Sequence, residues 1–421
     1  MQTTQKIAII ISDQRTTRSS FYDLKDSSYI YILFAPEQGI LDLDEDSKSL
    51  FFEMKIISKD ITADELVSLI KPYLKLASLQ DIHLVTSREV FMSRVADVNE
   101  QLSLSGPKPK DIERFVNKLT MKKVAAASGI RVPWHMEFDG GAFKQYGEAY
   151  LHKVDQLIKS GNEYPVFVKP IDQEGSIGAK KIDNYADLVQ WSKDPILMQF
   201  QYEVDEYVNG DLYECDCIIK NGEIVYEAVS KYTHPNADFS QGKVLGSLIV
   251  LPEDPIWKKI TDFNKILIKG IKAPDGATHH EIFHKSNGEL VFLEIGARPP
   301  GAYVCQTHTR NTSVNFETAH FRSQLNILDP LVNDMQKSYS AWGYFPKFEG
   351  EVAELYQPKL KSQHEIKWYV NVGDTIKASS HIAGDNQLSG VIFLYNKNYQ
   401  ELQKDFNTLK DFEPMRMVAP M

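Results

Sequence analysis

The N-terminal part of the chain alternates apolar, strand-like runs with stretches of helical spacing. The strand-like runs are rich in β-branched and aromatic residues: KIAIIIS (6–12), YIYILFA (29–35), LFFEMKII (50–57) and DIHLVTS (81–87). DELVSLIKPYLK and REVFMSRVADVNEQL have the apolar spacing of helices. This alternation predicts a small parallel α/β sheet for residues 1–105. No GxGxxG follows the first strand, so the unit lacks a dinucleotide fingerprint and is expected to act as a scaffold.

A Pro- and Ser-containing break, SGPKPK (105–110), predicts a domain boundary. DIERFVNKLTMKKVAAASGIRVP, which follows it, predicts one helix that ends at Gly129. DLYECDCIIKNGEIVYEAVSKY (211–232) predicts a hairpin turned by Asn221-Gly222. The C-terminal piece, 340–421, has a β-rich pattern with a late helix near 398–411.

A second hairpin is predicted in THHEIFHKSNGELVFLEIGARPPG, which runs from Thr278 to Gly301. Asn287-Gly288 separates two apolar runs, and this dipeptide is the strongest short signal for a tight hairpin turn. With a two-residue turn Ser286 faces Glu289, and counting outward places Glu281 directly opposite Glu294. Residues opposed in this way carry their Cβ atoms about 5 Å apart on one face.

Two carboxylates at that separation repel each other, so the pair predicts a cation between them. Glu294 interrupts an apolar run and is expected to be at least half buried, where an unpaired carboxylate is costly. Carboxylate oxygens suit Mg²⁺ or Mn²⁺. Gly296 and Arg298 follow on the face of Glu294, so an arginine is expected beside the cation. The alternative is an ordinary hairpin with its acids on a solvated face.

Composition narrows the class of protein. The apolar share of 43% and the charged share of 25% are those of a globular protein. A net charge of −10 argues against non-specific binding to nucleic acid or to an anionic membrane. Three cysteines without a CxxC repeat suggest reduced thiols, and no run is long and apolar enough for a signal peptide or a membrane span. A cytoplasmic protein is expected.

A lysine and a glycine-containing loop follow the strand predicted at YPVFVKPIDQEGSIGAKK. Lys169 ends the apolar run, where an ammonium group is costly unless it meets an anion. Gly175-Ser176-Ile177-Gly178 offers backbone N–H groups and a hydroxyl that can fold over phosphates. The chain has no GxxxxGK[ST], so this is not a P-loop.

In order and spacing, these segments resemble the motif series of the ATP-grasp superfamily. The match runs from Lys118 in NKLTMKKVAAASGIRVP through YPVFVKP, the Gly/Ser loop and DEYVNG (205–210) to HEIFHKSNGELVFLEIGARPPG. The tail VGDTIKASSHIAGDNQLSGVIFLYNKNYQELQKDF (372–406) is similar to the C-terminal lid of carboxylate–amine ligases, including L-amino-acid ligases and their biotin-carboxylase-like relatives. Residues 1–105 fit the N-terminal α/β domain of these enzymes.

The resemblance implies an α/β fold, with an α+β ATP-binding part, in three units. The implied domains are an N-terminal α/β domain at 1–105, an ATP-grasp domain at 106–330 with a mobile lobe near 164–205, and a β-rich lid at 331–421.

The resemblance also implies a role for each matching residue. Lys118 and Lys169 match the lysines that hold the ATP phosphates. The remaining matches are the closing loop (Gly175, Ser176, Gly178), the hinge whose backbone reads adenine and whose acid can meet the ribose (Asp205, Glu206, Tyr207, Val208), the Mg²⁺ ligands (Glu281, Glu294) and the arginine that neutralises the transferring phosphoryl group (Arg298).

Two positions depart from the family pattern. The usual E-x-N-x-R stands here as Glu294-Ile295-Gly296-Ala297-Arg298, so the Asn ligand is missing and water or a third carboxylate oxygen would take its place. Leu212 stands where many members carry an acid, so Glu214 is the candidate for the ribose contact. GARPPG variants also occur in the superfamily, so an inactive enzyme is not implied.

Three further residues are candidates for substrate contacts. His280 lies next to Glu281, and its predicted role is a substrate or supporting contact. Lys231 and Arg310, expected on loops near the motif ends, could grip a substrate carboxylate. Zinc binding by the histidines of THHEIFH is a weaker alternative, because alternate positions serve a strand equally well.

The function implied is an ATP- and Mg²⁺-dependent carboxylate–amine ligase. It activates a carboxylate as an acyl phosphate and joins it to an amine, with amino acids as candidate substrates. A bicarbonate-using carboxylase or formate-using transformylase, and a non-catalytic ATP-binding regulatory or scaffold protein, remain alternatives. The expected partners are small-molecule acids and amines, without nucleic acid or membrane, and a homodimer is the expected assembly.

Overall fold

The N-terminal part of the chain contains the predicted parallel sheet. The computed structural model describes residues 5–173, 175, 177–194, 200–327, 338–377 and 388–418. The sheet has the strand order β3-β2-β1-β4, with every pair parallel. Its strands are β1 (Lys6–Ile11), β2 (Tyr29–Ala35), β3 (Phe51–Ile56) and β4 (Ile82–Thr86), and its helices are α1 (Glu37–Leu41), α2 (Glu45–Leu50), α3 (Ala63–Ile70) and α4 (Glu89–Gln101).

Both faces of this sheet are buried. Ile7, Ile9 and Ile11 of β1 enter a core on one face, and Ala8 and Ile10 enter a second core on the other. An apolar strand without polar alternation is what a parallel sheet covered on both sides requires. The N-terminal part of the prediction is confirmed.

A helix break fixes the position of Lys118. The segment predicted as one helix forms two, α5 (Pro109–Val116) and α6 (Lys118–Ala127). Between them Asn117 is extended, and its side-chain oxygen accepts a hydrogen bond from the backbone N–H of Thr120, which is an N-cap. Lys118 is therefore the first residue of α6, and it is buried rather than solvated.

A four-stranded antiparallel sheet follows, in the order β5-β8-β6-β7. Its elements are β5 (His135–Phe138), α7 (Gly140–Tyr146), α8 (Glu148–Gly161), β6 (Val166–Pro170), β7 (Lys180–Ile182), α9 (Tyr185–Trp191) and β8 (Tyr202–Glu206). Residues of α8 and α9 pack on one face of the sheet in a single apolar core. Lys169, near the end of β6, pairs in register with Glu203 of β8.

The rest of the described chain is built on an eight-stranded antiparallel sheet, in the order β13-β12-β9-β10-β11-β14-β18-β16. The elements up to residue 324 are β9 (Asp211–Lys220), β10 (Glu223–Tyr232), β11 (Leu245–Val250), α10 (Pro255–Ile271), β12 (Gly276–His284), β13 (Leu290–Gly296), α11 (Val304–Thr312) and α12 (Phe316–Gln324). The C-terminal elements are β14 (Tyr339–Pro346), β15 (Gly350–Leu355), β16 (Gln363–Trp368), β17 (Thr375–Ile376), β18 (Leu388–Asn396), α13 (Tyr399–Thr408) and β19 (Met415–Val418).

The C-terminal piece is β-rich with a late helix, as predicted, but three of its strands extend the large sheet. β14 pairs with β11, and β18 and β16 continue from it. Only β15, β17 and β19 form a separate small sheet within the described residues. The boundaries 1–105, 106–330 and 331–421 stay predictions, and residues 331–337, 378–387 and 419–421 of the lid lie outside the described part of the chain.

The two Asn-Gly hairpins turn differently. Asn221 and Gly222 both have positive φ (51° and 78°), and Lys220 pairs with Glu223, so the β9–β10 turn is the predicted two-residue turn. In the β12–β13 hairpin, Lys285 N–H donates to Glu289 O, which leaves three residues in the loop and makes the predicted facing of Ser286 and Glu289 wrong.

A bulge in β13 restores the register that was predicted for Glu281 and Glu294. His284 pairs with Leu290 and Ile282 with Phe292, but Glu281 pairs with Glu294, so the register shifts by one residue at Leu293. The backbone N–H of Phe292, next to the bulge, donates to Arg131 O on the outer edge of the sheet. The predicted opposition of Glu281 and Glu294 is therefore present.

Candidate active site

A cavity of about 520 Å³ lies between the four-stranded antiparallel sheet (β5-β8-β6-β7) and the eight-stranded sheet. Most of the predicted ATP and metal residues line it: Lys118, Lys169, Gly175, Asp205, Glu206, Tyr207, Val208, Glu281, Glu294 and Arg298. Gly178 does not, although its neighbours Ile177 and Ala179 do. Ser176 lies outside the described residues. Separate segments of the chain thus converge on one cavity.

Glu281 and Glu294 form the acidic part of the cavity. Glu281 is 4% exposed, and its Oε1 accepts hydrogen bonds from Asn236 Nδ2 (2.7 Å) and Tyr232 OH (3.3 Å). The side chain of Glu294 is 32% exposed, and its Oε2 lies 3.7 Å from Lys118 Nζ. Burial disfavours the Glu294 carboxylate, but the positive charges of Lys118, Lys169 and Arg298 lower its pKa below the ordinary value. Two carboxylates on one cavity wall offer the oxygen donors that a hard divalent cation prefers.

Lys169 and Lys122 are both held by two carboxylates of β8. Lys169 Nζ lies 3.3 Å from Asp205 Oδ2 and 3.6 Å from Glu203 Oε1. Lys122, fully buried on α6, contacts the same two carboxylates at 2.5 and 2.9 Å. Burial opposes the Lys169 ammonium, yet the negative charges of Asp205 and Glu203 raise its pKa. Sequence reasoning missed Lys122 and Glu203, although Lys122 follows Lys118 by one helical turn.

Both acids of the hinge are engaged within the protein. The Asp205 carboxylate meets the two lysines, and that of Glu206 accepts from Arg131 Nη2 (2.7 Å) and from the backbone N–H of Trp134 (3.1 Å). The backbone of residues 205–208 lines the cavity beside the apolar side chain of Phe167. This wall fits a flat base, but it leaves no unpaired hinge carboxylate for the predicted ribose contact.

Glu214 and His280 lie outside the cavity lining, contrary to their predicted roles. Glu214 is fully buried, and its Oε2 accepts from the OH of Tyr232, which lines the cavity in its place. His280 packs against Phe263 and Phe292 on the opposite face of β12, and burial lowers its pKa to about 3. Successive strand residues face opposite sides, so His280 cannot share the face of Glu281.

Lys231 and Arg310 are also placed elsewhere. Lys231 lies on β10 rather than on a loop, and its Nζ is 2.6 Å from Asp211 Oδ2. Arg310 lies on α11, with its guanidinium carbon 3.7 Å from the ring centroid of Tyr395. Neither lines the cavity, so their predicted grip on a substrate carboxylate is not supported.

His279, which the sequence suggested only as part of the weaker zinc alternative, lines the cavity. Its Nδ1 is 2.7 Å from Asp216 Oδ1, and its Nε2 is 3.5 Å from Glu281 Oε1. His308 of α11 contacts the other oxygen of Asp216 at 2.9 Å. Burial opposes protonation of His279, but Asp216 outweighs it and raises the His279 pKa to about 10. The available signal was its position two residues before Glu281, on the same strand face.

Arg298 connects the site to the N-terminal unit. Its Nε donates to Glu89 Oε2 of α4 at 2.6 Å, so residues 1–105 supply a contact as well as a scaffold. Gly296, where the family pattern has Asn, lies close by, and a Cβ added there would meet Arg298 Cγ at 3.3 Å. The missing Asn side chain therefore leaves room for the observed position of Arg298.

Two lysines, a glycine-containing loop and opposed glutamates between two antiparallel sheets form the arrangement of the ATP-grasp fold, as the sequence predicted. No family model matches the chain. The chain is 25% identical over 317 residues to the L-arginine-specific L-amino acid ligase of Bacillus subtilis, which covers 70% of this chain and 71% of that protein.

Solved structures share the fold over nearly the whole chain. The L-amino acid ligase of Bacillus licheniformis has a TM-score of 0.69 at 14% identity, with 99% of this chain and 98% of that chain covered. The biotin carboxylase domain of the Hydrogenobacter thermophilus 2-oxoglutarate carboxylase, in complex with MgADP, ADP and bicarbonate, has a TM-score of 0.62 at 15% identity, covering 98% and 91%.

The predicted fold class and enzyme class are confirmed: the chain is an ATP-dependent ligase with the ATP-grasp fold. Among the described residues, no helix is both long and apolar enough to cross a membrane.

Proposed function

We propose that this ligase activates a carboxylate as an acyl phosphate and joins it to an amine, with amino acids as substrates. One observation carries the proposal: Lys118, Lys169, Glu281, Glu294 and Arg298 line a single cavity. The similarity to an L-arginine-specific L-amino acid ligase supports amino acids as substrates.

In the proposed reaction, the basic residues of the cavity bind the phosphates, and the wall formed by residues 205–208 binds the base. Lys118 and Lys169 are the residues that bind the phosphates of ATP. A substrate carboxylate oxygen attacks the γ-phosphorus, the bond to the ADP oxygen breaks, and Arg298 stabilises the charge on the phosphoryl group. The amine nitrogen then attacks the acyl carbon, inorganic phosphate leaves, and the nitrogen releases a proton to solvent. Residues 172–180 exclude water from the acyl phosphate.

Glu281 and Glu294 are the proposed metal ligands. Oxygen donors of this kind take Mg²⁺ or Mn²⁺, and Mg²⁺ is the ion proposed here. The bound ion supplies positive charge to the phosphates. His279, held by Asp216 next to Glu281, keeps a second positive group at the same wall.

The test is phosphate release from ATP over a panel of acid–amine pairs, with mass detection of the amide. Glu294→Gln and Arg298→Ala should each lose roughly 2.7–4 kcal/mol of transition-state stabilisation, since each removes one preorganised charge. Glu289→Gln is the matched control, because Glu289 lies on the same hairpin outside the cavity lining. Near-normal turnover by the first two variants would remove these residues from the site.

The carboxylase or transformylase alternative would use the same nucleotide site, and the fold shared with a biotin carboxylase domain supports it. Phosphate release that requires bicarbonate or formate would favour it.

A non-catalytic ATP-binding protein was suggested by the missing Asn and by Leu212. Nucleotide binding without consumption, over the whole substrate panel, would favour that reading.

A cytoplasmic homodimer is proposed as the working form. Cys215, Cys217 and Cys305 are free and buried, which suits a reducing compartment. At the edge of the N-terminal sheet, Phe52 and Ile56 of β3 are 75% and 65% exposed, so this strand is the candidate contact between two copies. Sedimentation of the full chain at a single monomer mass would contradict the dimer.

A further inference from the structure

The cavity continues beyond the proposed nucleotide and metal residues to a wall formed by residues 235–241. Residues Asn236–Gln241 form a short 3₁₀ helix. The segment is anchored at its start, because His234 Nε2 lies 2.9 Å from Lys410 O. Asn236 Nδ2 donates to Glu281 Oε1 at 2.7 Å, which fixes the segment directly beside the proposed metal ligand.

The orientation of the Asn236 amide leaves an acceptor unused. Because the amide nitrogen donates to Glu281 Oε1, the amide oxygen faces away from Glu281. Asn236 Oδ1 is buried and has no hydrogen-bond partner among the described residues. A buried acceptor without a donor is costly, so this atom indicates a ligand that donates.

Asp238 adds a second acceptor two residues further along. It lines the cavity, and burial raises its pKa, although the charges of His234 and Lys243 oppose that effect. In the described part of the chain its carboxylate has no ion pair within 4.0 Å. The Asp238 carboxylate and Asn236 Oδ1 together give this wall two acceptors.

Aromatic side chains complete this end of the cavity. Phe239, Tyr344 and Trp342 line it, with ring centroids 6.4 Å apart for Phe239–Tyr344 and 4.7 Å apart for Trp342–Tyr344. Trp342 Nε1 donates to Ser247 Oγ at 2.9 Å, so its polar atom is already satisfied. Aromatic faces favour cations and apolar groups.

We propose that Asn236 and Asp238 bind the ammonium group of the amine substrate, and that Phe239 and Tyr344, backed by the fully buried Trp342, hold its apolar side chain. The inference rests on the proposed function for the reaction that follows binding. The substrate class is a primary amine with an apolar or aromatic side chain, such as an amino acid of that kind. Through Asn236 the bound nitrogen lies next to Glu281, where the acyl phosphate would form. The ammonium group releases one proton to solvent before its nitrogen attacks, and a second proton as the amide forms.

Binding tests the subsite without depending on turnover. L-Phenylalaninamide and 3-phenylpropionamide differ by the ammonium group, and calorimetry would measure both with the full chain, a non-hydrolysable ATP analogue and Mg²⁺. The charged probe should bind at least about tenfold more tightly. Asp238→Asn should remove that preference, while Glu253→Gln, an exposed acid outside the lining, should keep it. Tyr344→Ala should weaken both probes.

Equal binding of the two probes by the wild-type chain, or an unchanged preference in Asp238→Asn, would overturn the subsite. Steady-state kinetics then distinguish a failure of the amine subsite from a failure of the proposed ligase function. In Asp238→Asn the KM for the amine should rise about tenfold, with the KM for ATP unchanged. A rise confined to the KM of the acid would assign Asp238 to the other substrate and overturn the proposal. Absence of phosphate release from any pair would contradict the proposed function alone.

Discussion

At the scale of single residues, charge compensation organises the surroundings of Lys169, one of the two lysines proposed to bind phosphate. Glu203 and Asp205 of β8 would be two buried like charges, and Lys122 and Lys169 neutralise them together. Lys122 is fully enclosed, so it cannot reach a ligand in the cavity. It acts through its neighbours. Because Lys122 neutralises part of the charge on both carboxylates, they draw the Lys169 ammonium group less strongly away from the cavity.

Replacing Lys122 tests this division. Lys122→Met leaves two buried carboxylates with one lysine, and breaking a buried charge network costs about 3–5 kcal/mol. Urea denaturation should show that loss, and the KM for ATP should rise because Lys169 is drawn toward the carboxylates. Lys123→Met, one residue along on the exposed side of α6, is the control and should change neither quantity. A stable Lys122→Met variant with normal ATP affinity would contradict the network.

The surroundings of single residues were only partly predictable from the sequence. Lys118 and Lys169 could be predicted because they stand in recognisable motifs. Lys122 could not, since a helical lysine is solvated in most proteins and only the fold brings Glu203 and Asp205 beneath it. His280 was selected over His279, although strand alternation alone favours His279 as the neighbour of Glu281 on its face.

At the scale of elements, the Asn-Gly dipeptides predicted the positions of both hairpins but not the length of both turns. Asn-Gly marked both turns, yet only Asn221-Gly222 forms a two-residue turn. The bulge at Leu293 restores the pairing of Glu281 with Glu294, and it coincides with a backbone hydrogen bond to Arg131, which comes from a distant part of the chain. Contacts of that kind are not encoded in the strand pattern itself, so the glutamate pair was predicted correctly through two compensating errors.

His320 of α12 gives an element-scale prediction for pH. Its Nδ1 accepts from the N–H of Ala277 in β12, and its Nε2 lies 2.9 Å from Thr86 O in β4. Burial lowers the His320 pKa from 6.5 to about 4. Below pH 6.5 the unfolded chain binds a proton that the folded chain excludes until about pH 4. The free energy of unfolding should therefore fall as pH drops through this window, by at most about 1.4 kcal/mol per pH unit from this group.

Urea titrations at pH 7, 6, 5 and 4.5 would measure the slope. His320→Gln removes the titrating group, so its stability should depend less on pH over this range. His152→Gln, at an exposed position on α8, should retain the wild-type slope. Equal slopes for all three proteins would show that His320 does not titrate in this way.

At the scale of the whole molecule, the predicted units are joined more closely than the sequence suggests. Composition and periodicity predicted the parallel N-terminal sheet and the β-rich C-terminal piece. They could not show that β14, β18 and β16 continue the sheet that carries Glu281, because strand pairing between distant segments leaves no local signal. The aromatic wall of the cavity therefore draws Trp342 and Tyr344 from the predicted lid.

Two adjacent residues at the start of α4 tie the N-terminal unit to the rest. Arg88 donates to both oxygens of Glu317 in α12, at 3.0 and 2.7 Å, and Glu89 accepts from Arg298 in the site. The Glu317 carboxylate is fully enclosed and also accepts from Ser19 Oγ at 3.0 Å. The arginine proposed to stabilise the phosphoryl group thus depends on how this junction holds α4.

Glu317→Ala should therefore affect both stability and turnover. It leaves Arg88 buried with Asp13 as its remaining acidic partner, at 3.2 Å, and loss of one side of such a pair costs about 3–5 kcal/mol. Urea denaturation would measure that loss, and kcat should fall with the KM for ATP little changed, because Glu89 and Arg298 shift together. Glu354→Ala is the control: Glu354 and Arg416 are both 55% exposed, so their contact is worth about 0–1 kcal/mol. If Glu317→Ala were no more destabilising than that control, the junction would not hold the N-terminal unit in place.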